Sequence, residues 1–187
     1  AWMPLSFAVD FFEKLCYSYS KKRGGFMGKI CCFTGHRDIP DEFSLAIFKN
    51  LETIITDLIE REGVTDFRAG GAMGFDGIAA ITVLKLKIKY PHIKLHLILP
   101  HKNQEAKFPA LDKEIYRLTL TEADSVMYIQ ERYSSTVMRV RNRALVDGSD
   151  FCVYYLDHIK SGTHYTVSYA RDHQVKTIDV LKYKKTG

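Results

Sequence analysis

The chain has 187 residues, of which 46% are hydrophobic and 26% are charged. This length suits one domain, and the balance supports a buried core, which argues against an intrinsically disordered protein. The formal net charge is +5, with 27 Lys and Arg against 22 Asp and Glu, and so mild an excess does not by itself indicate a nucleic-acid-binding protein.

Residues 1–26 differ from the rest of the chain. Their apolar run is interrupted by Asp10, lacks a basic leader and is too short to cross a bilayer, so it resembles neither a signal peptide nor a membrane span. A linker-like Lys-Lys-Arg-Gly-Gly run then precedes Met27. We expect residues 1–26 to be an extension that is not native to the domain or not ordered, with a short amphipathic anchor as the alternative. Residues 27–187 are expected to form one domain.

Strand and helix patterns alternate from Lys29 onward. Short apolar runs predict strands at 30–33, 66–69, 94–99, 125–129, 151–156 and 177–181. Helical spacing predicts a first helix capped by Asp41 and ended by Gly63, and further helices at 75–89, 104–120, 137–146 and 163–173. This alternation predicts an α/β fold with a mostly parallel sheet covered by helices on both faces.

A glycine-rich turn follows the second predicted strand. Gly70, Gly71 and Gly74 lack a Cβ, so a bound group can approach the backbone closely. The helix that begins there offers free N–H groups and the positive end of its dipole to a phosphate. Asp76 would repel a phosphate on the same N–H groups, so we expect it to contact a ribose hydroxyl or a base edge. Because the motif is neither the dinucleotide fingerprint nor a Walker loop, a tight turn without a ligand is the alternative.

A second motif, Thr34-Gly35-His36-Arg37, follows the first strand. It combines a hydroxyl, a flexible backbone, an imidazole that titrates near neutral pH and a planar guanidinium suited to phosphate. The alternative is a simple turn followed by a solvated arginine.

A third loop follows the fifth strand and ends in Ser161-Gly162-Thr163. Ser161 or Thr163 is a candidate helix cap, and Gly162 leaves N–H groups free for an anion. Ligands of parallel sheets bind beyond the carboxyl ends of the strands, so we expect all three loops at one edge of the sheet.

The fourth predicted helix carries Arg139, Asn142 and Arg143 on one face. A solvated basic face is the ordinary interpretation. Asn142, an amide among arginines, is a candidate for contact with a nucleobase or a ribose.

The cysteines predict no metal site. Cys31, Cys32 and Cys152 fall in apolar strands, where small buried thiols are usual, and no Cys-x-x-Cys pair or neighbouring histidine has metal-ligand spacing. A reducing cytoplasm fits this pattern.

Together these motifs resemble the YpsA-like family, which includes prophage YoqJ-type members. That family belongs to the SLOG superfamily, as do the Lonely guy phosphoribohydrolases and the DNA-processing protein DprA. The resemblance runs from about Met27 to Val180, and it implies a Rossmann-like three-layer sandwich in a bacterial or phage cytoplasmic protein with a nucleotide-binding pocket. It also implies these ligand-facing residues: Thr34, Gly35, His36, Arg37, Gly70, Gly71, Gly74, Asp76, Asn142, Ser161, Gly162 and Thr163.

One departure from the Lonely guy pattern bears on catalysis. The position of the Lonely guy glutamate is Thr166 here, so hydrolysis of an N-glycosidic bond would need Asp76 or Asp147 instead. We therefore expect a sensor or regulatory protein that binds a nucleotide-like ligand and requires no cofactor, with a nucleoside-phosphate N-glycosidase that uses Asp76 as the alternative.

A weaker alternative is single-stranded DNA binding, in which Tyr128, Tyr133, Tyr154 and Tyr155 stack on bases beside Arg139 to Arg143. The mild charge makes nucleic acid an unexpected partner, a homodimer is expected by analogy alone, and no membrane association is expected.

Overall fold

A computed structural model describes residues 28–159 and 161–183. The predicted extension over residues 1–26 lies outside the described residues. In chain order the elements are β1 (Lys29–Gly35), α1 (Asp41–Glu62), β2 (Val64–Ala69), α2 (Phe75–Lys87), β3 (Lys94–His101), a 3-10 turn (Gln104–Lys107), α3 (Ala110–Glu122), β4 (Ser125–Gln130), α4 (Val137–Val146), β5 (Phe151–Tyr155), α5 (Gly162–Asp172) and β6 (Lys176–Asp179). None of the described helices is long and apolar enough to cross a bilayer.

The strands form one parallel sheet in the order β4-β3-β2-β1-β5-β6. The chain moves outward from β1 to β4 and then returns to the other side of β1. Cys32 lies opposite Cys152, and Gly35 lies opposite Tyr155. The direction of winding therefore changes between β1 and β5, which is where ligands of open α/β sheets bind.

Successive strand residues point to opposite faces of the sheet, and each face has its own core. Cys31 and Phe33 belong to the larger core, formed with α1, α2 and Tyr116 of α3. Cys32 and Cys152 belong to the smaller core, formed with α4 and α5. Helices thus cover both faces, and the predicted three-layer α/β sandwich with a parallel central sheet is confirmed.

The helix boundaries differ from prediction in several places, and proline accounts for two of the differences. Asp41 does not cap α1, because Pro40 occupies the N-cap position and Asp41 is the first helical residue, where its charge favours the helix dipole. The single helix predicted over 104–120 is interrupted at Pro109, which holds Phe108 in an extended conformation before α3 begins. Gly63 ends α1 in the left-handed conformation, as predicted.

Candidate functional site

The loop after β1 lies at the edge of the sheet where β1 and β5 end, and the change in winding direction falls between these two strands. The backbone N–H of His36 donates to the carbonyl of Tyr155 at the end of β5, at 3.3 Å, and the carbonyl of His36 accepts from the N–H of Phe75 at the start of α2, at 3.2 Å. Two backbone hydrogen bonds therefore hold the Thr34–Arg37 motif between the glycine turn and the end of β5. Thr34 and His36 are buried, whereas Arg37 is exposed at the rim.

Gly74 allows the glycine turn to contact the β1 loop. Its φ is +73°, and a Cβ at this position would lie 2.1 Å from the carbonyl oxygen of Arg37. Only glycine adopts this conformation at such a close approach. Gly74 is also the N-cap residue of α2, and no side chain caps that helix. The first N–H groups of α2 are thus left to other partners, of which the His36 carbonyl is one.

A buried ion pair lies beneath the glycine turn. The Nη1 atom of Arg141 on α4 lies 3.3 Å from Oδ2 of Asp76 on α2, and the two residues are 6% and 3% exposed. Burial raises the pKa of the Asp76 carboxyl, and the Arg141 guanidinium counteracts part of that rise. A Cβ on Gly70 would lie 1.4 Å from the same Nη1 atom, so Gly70 leaves the space that Arg141 fills. The Asp76 carboxylate is therefore paired with Arg141, and it also accepts a hydrogen bond from the N–H of Ala72 at 3.5 Å.

The third loop ends at the beginning of α5. The hydroxyl of Ser161 accepts from the N–H of His164 at 3.1 Å, so Ser161 is the helix cap and Thr163 is not. Gly162 is exposed, and its carbonyl lies 3.5 Å from the amide nitrogen of Asn142. Thr163 is 7% exposed, which leaves its side chain little surface for a ligand.

His36 connects the first loop to the third. Its Nε2 atom lies 2.9 Å from Oδ1 of Asp157, and its ring stacks on that of His158 with centroids 3.9 Å apart. Burial lowers the pKa of His36, and the negative charge of Asp157 opposes this shift. The His36 imidazole is consequently favoured in its neutral form.

The structure brings the predicted loops together. All three leave the same edge of the sheet, and contacts join them in pairs: His36 with Phe75, Arg37 with Gly74, and His36 with Asp157. Asn142 of α4 reaches the third loop. The assignment of these residues to a ligand stays a prediction.

Sequence reasoning missed several residues that shape this edge. Arg141 is absent from the predicted site residues, although it lies four residues from both Val137 and Leu145, which are buried, and that spacing places it on the buried stripe of α4. Gln104, after β3, donates to the carbonyl of Gly71 at 3.0 Å and supports the turn. Asp157 and His158 lie beside the first loop only because β1 pairs with β5, and the sequence alone does not show that pairing.

A second feature is an aromatic and basic surface on α4 and α5, hereafter the α4–α5 surface. Arg139 lies over the ring of Tyr165 at 5.9 Å, and Arg143 lies over that of Tyr169 at 5.5 Å. The Nε atom of Arg143 also donates to the Tyr165 hydroxyl at 2.7 Å. By contrast, Tyr154 and Tyr155 are 7% and 0% exposed, so the prediction that they stack on bases is wrong.

A cleft of about 380 Å³ lies elsewhere, between α1 and β6, and is lined by residues at which strands begin, including Phe151 and Lys176. Its polar groups contact one another: the Tyr183 hydroxyl donates to Asp57 at 2.6 Å, and Lys176 pairs with Glu62 at 3.3 Å. Its volume exceeds that of the pocket of about 10 Å³ beside the glycine turn. We nevertheless place the candidate site at the loop edge, because the change in winding direction and the converging polar groups are found there.

Sequence comparison identifies related proteins. The profile described as the YspA SLOG family (YpsA) matches residues 32–185. The chain is 32% identical over 139 residues to an uncharacterized SPbeta prophage-derived protein, YoqJ, of Bacillus subtilis, covering 68% of this chain and 81% of that protein. It is 36% identical over 119 residues to a UPF0398 protein of Halalkalibacterium halodurans, covering 63% of this chain and 62% of the relative.

Solved structures with a similar fold include those of DNA processing protein A from two bacteria. The one from Streptococcus pneumoniae superimposes with a TM-score of 0.61 at 15% identity, covering 81% of this chain and 50% of that protein. The one from Helicobacter pylori, described with a single-stranded DNA binding mode, gives 0.59 at 17% identity, covering 81% and 65%. This chain therefore spans half to two thirds of these proteins and shares their fold. Because the profile match spans residues 32–185 and includes all three loops, the chain belongs to the YspA SLOG family.

Proposed function

We propose that this protein is a sensor or regulatory module that binds a nucleotide or a nucleotide derivative at the edge where β1, β2 and β5 end. The observation that carries the proposal is the meeting of three strand-following loops at the change in winding direction. Crevices of this kind hold mononucleotides and dinucleotides in open α/β sheets.

The phosphate is assigned to the Thr34–Arg37 motif and the glycine turn. α2 begins after Gly74 without a side-chain cap, and α5 begins with the exposed Gly162. Both helices start at this edge, so their N–H groups and dipoles favour an anion there. Arg37 is exposed and forms no ion pair within residues 28–159 and 161–183, so its guanidinium is free to bind phosphate.

The sugar or the base is assigned to Asn142, whose long 3.5 Å contact with the Gly162 carbonyl leaves most of its hydrogen-bonding capacity unused. A ribose hydroxyl of the ligand is assigned to Asp76. Because Asp76 is 3% exposed and paired with Arg141, its carboxylate would share that contact with the guanidinium.

Thermal unfolding in the presence of a nucleotide library tests this proposal. A ligand at 100 times its Kd adds about 2.7 kcal/mol to the free energy of unfolding. For a domain of this size, that corresponds to a rise in Tm of about 5–11 °C. Arg37→Ala should weaken a phosphorylated ligand by about 1.5–3 kcal/mol if its charged hydrogen bond is direct.

Arg117→Ala is the matched control, since Arg117 is exposed on α3, which carries none of the predicted ligand-facing residues. The absence of any stabilising nucleotide would contradict the proposal. Equal affinity in the Arg37 and control variants would place the phosphate elsewhere.

An N-glycosidase that acts on a nucleoside phosphate is the enzymatic alternative. Thr166 is fully buried at the position of the Lonely guy glutamate, and its hydroxyl donates to the Gly162 carbonyl at 2.8 Å. It supplies no carboxylate, so this activity would depend on Asp76 or on Asp147, which accepts a hydrogen bond from the Tyr169 hydroxyl at 2.9 Å. Steady release of free base that Asp76→Asn abolishes would replace the sensor proposal with the enzymatic one.

Single-stranded DNA binding is a second candidate, favoured by the α4–α5 surface. Alternating arginines and tyrosines offer both phosphate contacts and stacking platforms. This function predicts an affinity for oligonucleotides that falls steeply with salt and is lost in Tyr165→Ala. Absent or salt-independent binding would exclude it.

A further inference from the structure

Two histidines and an aspartate meet where β1 and β5 end. His36, Asp157 and His158, hereafter the His–Asp–His cluster, place one ligand atom each within 4.8 Å of one another. The cluster joins the end of one central strand to the loop after its neighbour. It arises from the pairing of β1 with β5, and no spacing along the sequence indicates it.

The central donor of the cluster is Oδ1 of Asp157. It lies 2.9 Å from Nε2 of His36, and it also contacts Nδ1 of His158. One carboxylate oxygen thus stands between two imidazole nitrogens from different loops. A cation that replaced these direct contacts would lie within reach of all three groups.

His36 supplies an independent observation. The residue is 7% exposed, and its buried Nε2 atom makes no hydrogen bond among the described residues, because the 2.9 Å approach to Asp157 lacks hydrogen-bond geometry. A buried polar nitrogen without a hydrogen bond is costly unless another partner satisfies it. A lone pair directed at a metal ion is such a partner.

We propose that the His–Asp–His cluster binds a divalent transition-metal ion of the zinc class. Two imidazoles and one carboxylate form a donor set that holds Zn²⁺ and leaves a coordination position open. Ca²⁺ and Mg²⁺ prefer oxygen ligands and are disfavoured by two nitrogen donors.

Coordination requires the two exposed side chains of the cluster to move. Two ligand atoms on a tetrahedral Zn²⁺ lie about 3.4 Å apart, given bond lengths of about 2.0–2.1 Å. The present 2.9 Å separation between His36 and Asp157 therefore widens slightly when an ion enters. The side chains of Asp157 and His158 are 39% and 60% exposed, so both can turn, and the stacked His158 ring rotates to direct its nitrogen at the ion.

The proposal does not depend on nucleotide binding. The cluster lies beside the loops assigned to phosphate, so an anionic ligand group can fill the open position of the metal. His36 is the fixed donor, because its backbone hydrogen bonds hold it between β5 and α2.

The test is a metal titration of the untagged full chain after treatment with a chelator. Calorimetry with Zn²⁺ should show one ion bound per chain. Visible absorption with Co²⁺ should show bands of a nitrogen- and oxygen-ligated site, without an intense thiolate charge-transfer band. His158→Ala and Asp157→Asn should each weaken binding about tenfold or more.

The matched control is His92→Ala, which removes an exposed histidine from the other end of the sheet. It should bind Zn²⁺ as the parent chain does. Far-ultraviolet circular dichroism verifies that every variant is folded, and the exposure of Asp157 and His158 makes their substitution tolerable. A Zn²⁺ affinity that neither cluster variant changes, a thiolate band, or the absence of binding would each overturn the proposal.

Discussion

Removal of the Arg141 side chain is the sharpest perturbation of the candidate site. Arg141→Met leaves the carboxylate of Asp76 buried at 3% exposure, with backbone hydrogen bonds from Ala72, at 3.5 Å, and from Gly70 but no cationic partner among the described residues. Breaking a buried ion pair by removing one partner costs about 3–5 kcal/mol, because an uncompensated charge remains. Since a domain is stable by about 5–15 kcal/mol, this is a large share of the total.

Urea denaturation and thermal unfolding measure the loss. A cost of 3–5 kcal/mol lowers the Tm by about 6–20 °C in a domain of this size. The sign of the pH dependence gives a further check. Burial raises the folded-state pKa of Asp76, and without Arg141 only backbone hydrogen bonds from Ala72 and Gly70 oppose that rise, so the folded protein takes up a proton more readily than the unfolded chain. The difference in the free energy of unfolding between the parent protein and Arg141→Met should therefore become smaller as the pH is lowered from 7 toward 4.

A double-mutant cycle with Asp76→Asn separates pairing from packing. The double variant should lose less than the sum of the single losses, by about 0.5–3 kcal/mol. Arg139→Met, on the exposed face of the same helix, should lose less than about 1 kcal/mol, since it removes one cation–π contact. A small loss for Arg141→Met, or additive effects in the cycle, would refute the reasoning.

Three further outcomes are expected. Gly74→Ala should destabilise the protein by more than Gly148→Ala, because both have a positive φ that costs about 1–3 kcal/mol but only Gly74 brings a Cβ against the Arg37 carbonyl; equal losses by urea denaturation would contradict this. His36→Asn should reduce the fall in stability below about pH 6.5, because the folded protein resists protonation of His36 while the unfolded chain accepts it; parallel pH profiles would contradict this. Tyr155→Phe should change the free energy of unfolding by less than about 1 kcal/mol, because its buried hydroxyl has no hydrogen-bond partner among the described residues; a loss above about 2 kcal/mol would reveal a partner.

The fold was predictable because the signals that define it are local. Alternating side-chain directions assign Cys31 and Cys32 to opposite faces, and the structure places them in different cores. The left-handed end of α1 at Gly63 also follows from residue type alone. Parallel pairing then requires the three loops to leave one edge, whatever the order of the strands.

The partners within the site were not predictable, because they depend on the strand order. The contact between His36 and Asp157 joins residues separated by most of the chain and exists because β5 pairs with β1. The burial of Arg141 was visible in its helical spacing, but a charged residue type suggests exposure. Its partner, Asp76, is identified only by the packing of α4 beneath the glycine turn.

The two backbone hydrogen bonds of His36 also bear on hydrogen exchange. Because they continue the hydrogen bonding of the sheet past the end of β1, the amide protons of His36 and Phe75 should exchange only when the central strands separate. A ligand that enters the crevice then adds little protection at these positions. The amides of Gly162 and Thr163, in the first turn of α5, are where slower exchange should report occupancy.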